Sequence, residues 1–354
     1  MPGHSKNYKN LIFSFITIII FLLFTELAFR LVLALNGFPF LMPKEVLFAR
    51  EYGDSFKQIR GESITQHDDY QDILILGGSV VSPDWSGMEK RLKDSLSKRL
   101  KTDKIRIFNV AFPGHTSLDN DIKYRILHEK GYSFDLVLYY EAINENRANN
   151  ISPVEFKPDY SHFKWYDQIY RIQKHPELNF TVIPYVFDYI LSKVDNVIHK
   201  KTFLSIGDVR DKTLLKYGSD IKTAKSYERN LSGIISLSKQ YHEPLLLMSY
   251  AYYLPPDYQL TGGQEDKKYY ADCKYSCSIN IWGKPENIRK GIEAHNLIIR
   301  KLVQQYPELY YLDIQKIIQG NQNYFCDICH FSEEGAQLYA KTLADFLIEK
   351  KLVH

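Results

Sequence analysis

The sequence has no basic block, no internal repeat and no low-complexity tract. Its formal net charge of +3 is spread along 354 residues, so charge gives no reason to expect nucleic acid as a partner. Without a repeat there is no ground for a stacked array. Cysteine is scarce: there are four, in two close pairs, Cys273 with Cys277 and Cys326 with Cys329. Long apolar runs are scarcer still, and one segment, LIFSFITIIIFLLFTELAFRLVLAL at 11–35, is apolar over a length that crosses a hydrocarbon core.

That run reads as an N-terminal transmembrane helix. Its charges, Glu26 and Arg30, lie one helical turn apart near one end, where they can pair and Arg30 can snorkel to the interface. Lys6 and Lys9 precede it and favour a cytoplasmic N-terminus, which makes the protein single-pass with everything after about residue 36 extracytoplasmic. A cleaved signal peptide is the rival reading, with Val32 and Ala34 as the cleavage signal; the length of the run and its two charges argue against it. The expected layout is a cytoplasmic tip and anchor over 1–36, a tether containing Pro39 and Pro43 over 37–70, and a folded body over 71–354. Outside the cytoplasm no reductant keeps the cysteines as thiols, so Cys273, Cys277, Cys326 and Cys329 are candidate disulfide residues. Four cysteines allow three pairings, and the sequence does not choose among them.

Within the body, short apolar runs alternate with helical periodicity. QDILILGG reads as a buried strand ending in a tight turn, and Met88, Leu92, Leu96 and Leu100 recur at helical spacing, with Ser86 and Glu89 as a capping box. IRIFNV is a second strand; Ser117 can cap the helix that follows, whose apolar face holds Leu118, Ile122 and Ile126. DLVLYY, PLLLMSY and LYYLDI are further strands, with helices marked by Tyr227, Leu231 and Ile234 and by Ile288, Ile292 and Ile299 between them. Ser332, Glu333 and Glu334 open a closing helix. This alternation predicts an α/β domain of flavodoxin-like, three-layer α/β/α type around a parallel sheet. Ligands bind such sheets beyond the carboxyl ends of the strands, which is where GGSVV, AFPGHTS and EAINEN fall. An insert at about 147–222 is rich in aromatics, and Val186, Ile190, Val194 and Ile198 within it form a helical stripe. The stripe reads as a core-packed helix or, alternatively, as a lid or substrate wall.

The stretch CDICHFSEEG at 326–335 admits three readings. Cys326-x-x-Cys329-His330 is an attachment signature for c-type haem; the four cysteines have the ligand count of a zinc site; Asp327-x-x-His330 is a base held by a carboxylate. Four blocks occur in order: LGGS with Ser79, NVAFPGHTS with Gly114, YYEAINE with Asn144, and DICHFSEEG with Asp327 and His330. On these blocks the chain, from about 72 to 348, resembles the SGNH, or GDSL, hydrolase family. The resemblance implies a carboxylic ester hydrolase with no cofactor and no metal, in which Ser79 is nucleophile, His330 base and Asp327 its orienter. It implies an oxyanion hole from the Ser79 amide, the Gly114 amide and the Asn144 side chain. The implied substrate is an O-acyl ester, a glycan O-acetyl group of the cell envelope or a lipid acyl ester, with an O-acyltransferase or a catalytically idle glycan-binding scaffold as alternatives. The chain departs from the family pattern where Gly-Asp-Ser becomes Gly77-Gly78-Ser79 and Gly-x-Asn-Asp becomes Ala142-Ile143-Asn144-Glu145; Ala111 also replaces a frequent glycine. Glu141 and Glu145, if aimed at the oxyanion, would oppose catalysis.

Overall fold

The computed structural model describes residues 4–35, 52–174, 180–184, 186–187, 190–191, 215–256, 258, 269–273, 276–318 and 320–354. The chain divides into two compact units, one of 1–54 with 161–203 and one of 55–160 with 204–354.

The first unit carries the apolar helix α1, His4–Leu35. Its stretch Tyr8–Leu35 has a mean hydropathy of 2.5 and is long and apolar enough to cross a membrane. The same unit holds a helix at Lys164–Lys174, preceded by the ring contacts of Phe163 with Trp165 and Tyr166. Of the stripe in the insert, Val186 is half-buried and Ile190 is 46% exposed; Val194 and Ile198 lie outside the described residues.

The second unit is built on five parallel strands, β1 Gln71–Gly77, β2 Ile105–Asn109, β3 Leu136–Tyr140, β4 Leu245–Met248 and β5 Tyr310–Leu312, in the order β2-β1-β3-β4-β5. β1, β3 and β4 are buried along their whole length, as strands covered by helices on both faces must be, and this is why they read as unbroken apolar runs. Register pairs Ile73 with Leu136 and with Ile107, and Val137 with Leu245. The covering helices are α2 Met88–Leu100, α3 Ser117–Glu129, α4 Ile143–Asn149, α5 Ala224–Gln240, α6 Pro285–Gln305 and α7 Glu333–Glu349. α7 packs beside α2, while α3, α5 and α6 pack in succession, giving the three-layer α/β/α arrangement.

Local details differ from the sequence reading at three points. Ser86 does not cap α2: it closes a single helical turn, Pro83–Ser86, and Gly87, left-handed at φ +54, ends that turn and begins α2. Glu89 instead accepts a hydrogen bond from Asn109 Nδ2 at 2.8 Å. Ser117 is the first residue of α3 rather than its cap; Thr116 is the cap, and Asp119 returns the bond to the Thr116 amide at 2.7 Å. The folded body also starts before residue 71, because Ile59 and Ile64, each 1% exposed, complete the apolar core of the second unit. Of the proposed 37–70 tether, 37–51 lies outside the described residues.

Candidate active site

β1 ends at Gly77, and the chain turns through Gly78 into a short 3-10 segment, Ser79–Val81, that starts with the candidate nucleophile. Neither glycine has room for a side chain. A Cβ on Gly77 would stand 2.5 Å from Val81 Cγ2 and 2.8 Å from the Tyr140 carbonyl oxygen; one on Gly78 would stand 2.0 Å from Glu141 Oε2 and 2.8 Å from Asn144 Nδ2. The departure from Gly-Asp-Ser thus has a steric cause: the Glu141 carboxylate fills the space that a side chain at 78 would enter.

Ser79, Asp327 and His330 form a hydrogen-bonded line. His330 Nε2 lies 2.7 Å from Ser79 Oγ, and His330 Nδ1 lies 2.8 Å from Asp327 Oδ2. All three are buried. An ionised carboxylate only accepts, so Nδ1 carries the ring proton and Nε2 is left to accept from the serine hydroxyl. Asp327 also receives the amides of Cys277 at 2.7 Å, Cys329 at 3.0 Å and His330 at 2.9 Å. Burial pushes its carboxyl up, but the His330 ring and the His330 and Cys329 amides outweigh burial and hold it below the usual carboxylate range.

Gly114 lies in the loop between β2 and α3 with φ +79, a conformation that glycine adopts without strain. The His115 amide donates to the Phe112 carbonyl at 3.2 Å and closes this turn. Asn144, in the first turn of α4, reaches the same turn: its Nδ2 donates to the His115 carbonyl at 2.9 Å, and its Oδ1 accepts from Trp282 Nε1 at 3.3 Å. The candidate donors on the β1, β2 and β3 loops are therefore gathered at the carboxyl ends of adjacent strands.

The two glutamates that raised concern are engaged elsewhere. Glu141 Oε1 accepts from the Asn144 amide at 2.8 Å, so the carboxylate fixes the start of the helix that carries Asn144. Burial pushes its carboxyl well above the ordinary range, which favours the neutral form. Glu145 accepts from the Ser117 amide at 2.7 Å and from the Tyr160 hydroxyl, and burial raises it to about 7. Lys123, buried beside this layer and lowered by burial to about 7, donates to the Val110 carbonyl at 2.6 Å.

Two tryptophans flank His330. The Trp85 ring stacks on His330 at 3.9 Å between centroids and 16° between planes, and Trp282 stands 5.9 Å away. The sequence reading passed over both, although the chain has only three tryptophans. Their rarity was the available signal. The Cys277 amide was also missed, since nothing local links it to a carboxylate 50 residues on.

Cys326 is disulfide-bonded to Cys273, while Cys277 and Cys329 are thiols. This removes Cys326 from both a haem attachment pair and a four-cysteine zinc set. The Cys329 thiol lies 3.7 Å from His330 Nδ1, but burial pushes it well above its usual range, and burial and Asp327 push Cys277 up to about 12. Both stay protonated and weakly nucleophilic.

No protein-family model and no curated protein matches the chain. Among solved structures it is similar to a lipase/acylhydrolase from Enterococcus faecalis, at 12% identity over 79% of this chain and 96% of that one, with a TM-score of 0.42. It is also similar to a GDSL-like lipase from Bacteroides thetaiotaomicron, at 10% identity over 86% and 98%, with a TM-score of 0.44. A third is an acetylxylan esterase from Geobacillus stearothermophilus, at 12% identity over 80% and 96%, with a TM-score of 0.42.

Proposed function

We propose that this chain is a membrane-anchored serine ester hydrolase of the SGNH type, acting outside the cytoplasm on an O-acyl ester of an envelope glycan or lipid. The observation that carries the reading is the continuous line Ser79 Oγ, His330 Nε2, His330 Nδ1, Asp327 Oδ2, with both hydrogen bonds under 3 Å. A serine hydroxyl is a poor nucleophile until a base takes its proton. In the proposed mechanism His330 takes that proton as Ser79 Oγ bonds to the acyl carbon, and Asp327 holds the ring orientation and stabilises the imidazolium. The carbonyl oxygen becomes an oxyanion facing the Ser79 amide, the Gly114 amide and the Asn144 side chain. Collapse breaks the ester bond, and His330 returns the proton to the departing alcohol. Water, deprotonated by the same ring, then hydrolyses the acyl-enzyme and frees Ser79.

Helix α1 supports the anchor by length and composition. The Cys273–Cys326 disulfide is in keeping with an oxidising compartment. The test is acyl release by the detergent-solubilised full chain from an aryl acetate, with Ser79→Ala as the control, and with and without an added sugar acceptor. Ser79-dependent release that the acceptor leaves unchanged supports a hydrolase. Release that rises with the acceptor, with the acyl group recovered on the sugar, makes the protein a transferase. No release by folded protein from any short-chain ester counts against both.

A further inference from the structure

Residues 11–35 carry no charge apart from Glu26 and Arg30, and those two bind one another and a second segment of the same unit. Arg30 Nε donates to Glu26 Oε1 at 2.6 Å, and its Nη2 donates to the Phe180 carbonyl. Glu26 Oε2 accepts from Thr181 Oγ1 at 2.7 Å, from the Val182 amide at 3.0 Å and from the Ile183 amide at 3.3 Å. A carboxylate at the start of a helical turn is well placed for those amides. Beside these contacts the segment turns large apolar side chains outward: Phe180 is 73% exposed, Phe187 55%, Ile190 46% and Leu191 61%. The neighbouring part of α1 does the same, with Phe24 71% and Leu27 57% exposed.

A charge near the hydrocarbon needs a partner, and backbone groups at that depth need theirs; each segment here supplies what the other lacks. At about 1.5 Å per residue, a hydrocarbon core of about 30 Å takes about 20 residues of the 11–35 run, which leaves Arg30 toward one boundary and Glu26 one turn further in. We propose that the described residues between 180 and 191 form a second membrane-contacting element, lying in the lipid interface beside α1 with Phe180, Phe187, Ile190 and Leu191 among the acyl chains. The occupant follows from continuity: the exposed apolar surface of this segment adjoins that of the helix that spans the bilayer. The inference rests on the reading of α1 as a membrane span. It turns the aromatic-rich insert from a core helix into a membrane contact.

The experiment uses the full chain in vesicles of phosphatidylethanolamine and phosphatidylglycerol that carry a diazirine on an acyl chain. After photolysis and trypsin digestion, lipid adducts are mapped by mass spectrometry; Lys174 and Lys193 bound a tryptic peptide, 175–193, that reports on the segment. Adducts on both α1 and 175–193 are expected. Glu26→Ala is expected to keep the α1 adducts and to lower those on 175–193 several-fold. Adducts on α1 alone overturn the proposal and leave the anchor standing. Adducts on neither overturn both.

Discussion

At the scale of single residues, the account turns on what Glu141 does. Its carboxylate is close to the turn that carries Ser79, yet it is spent on the Asn144 amide and fills the space beside Gly78. Gly78→Ala should therefore destabilise the protein by about 1–3 kcal/mol through overpacking. Gly78→Ala with Glu141→Ala should lose less than the two single losses combined, with a coupling of about 0.5–3 kcal/mol by chemical denaturation. Strict additivity would remove Glu141 as the obstacle. The triad residues should separate by role. Serine triads elsewhere lead us to expect turnover to fall about 10⁶-fold for Ser79→Ala or His330→Ala and about 10⁴-fold for Asp327→Ala. Equal activity in all three variants, measured as kcat on one ester, would contradict the assignment. None of the Glu141 contacts was legible in the sequence, where a glutamate three residues before an asparagine looks the same whether it points at the site or caps the helix.

Elements were easier to read than their joints. The buried parallel strands announce themselves as apolar runs because both faces are covered, and the helices follow from period and length. Their starts were misread at Ser86 and Ser117 because a serine beside a loop fits a cap by type, whereas Gly87 and Thr116 took the position by backbone geometry. Pairing across the chain was invisible too, since Trp85 and Trp282 meet His330 from segments far apart in sequence. The Cys273–Cys326 link closes a loop of 53 residues, for which chain entropy gives about 4 kcal/mol of stabilisation. It ties the segment holding Cys277, whose amide donates to Asp327, to the loop of His330. Cys273→Ser should therefore lower both the unfolding midpoint and kcat; an unchanged kcat would confine the disulfide to a structural part.

The layer where α3 meets α4 makes a separate prediction about pH. Glu145 titrates near 7 in the folded chain against an ordinary 4.5, so folding takes up a proton. That contribution to stability is complete below about pH 4.5 and is lost as pH rises through about 7. Thermal midpoints across this window should fall with pH in the wild type more steeply than in Glu145→Gln. Parallel curves would mean that Glu145 titrates as it does in water.

For the whole molecule, the two units differ in character: one presents exposed apolar side chains, and the other holds a polar line at the carboxyl ends of a parallel sheet. The apolar helix was legible from hydropathy, and the parallel sheet from the alternation of apolar runs with helical spacing. That 161–203 falls in the unit of α1 was not, because a helical apolar stripe has the same spacing whatever it faces. The central claim is that Ser79 is a nucleophile activated by His330, and one measurement reaches it without knowledge of the ester. The solubilised full chain is treated with a fluorophosphonate probe, alongside Ser79→Ala and His330→Ala. The account predicts covalent labelling of the wild type on the Ser79 peptide, with none in Ser79→Ala and a severe loss of rate in His330→Ala. A folded wild type that resists the probe, or labelling that survives Ser79→Ala, would contradict it.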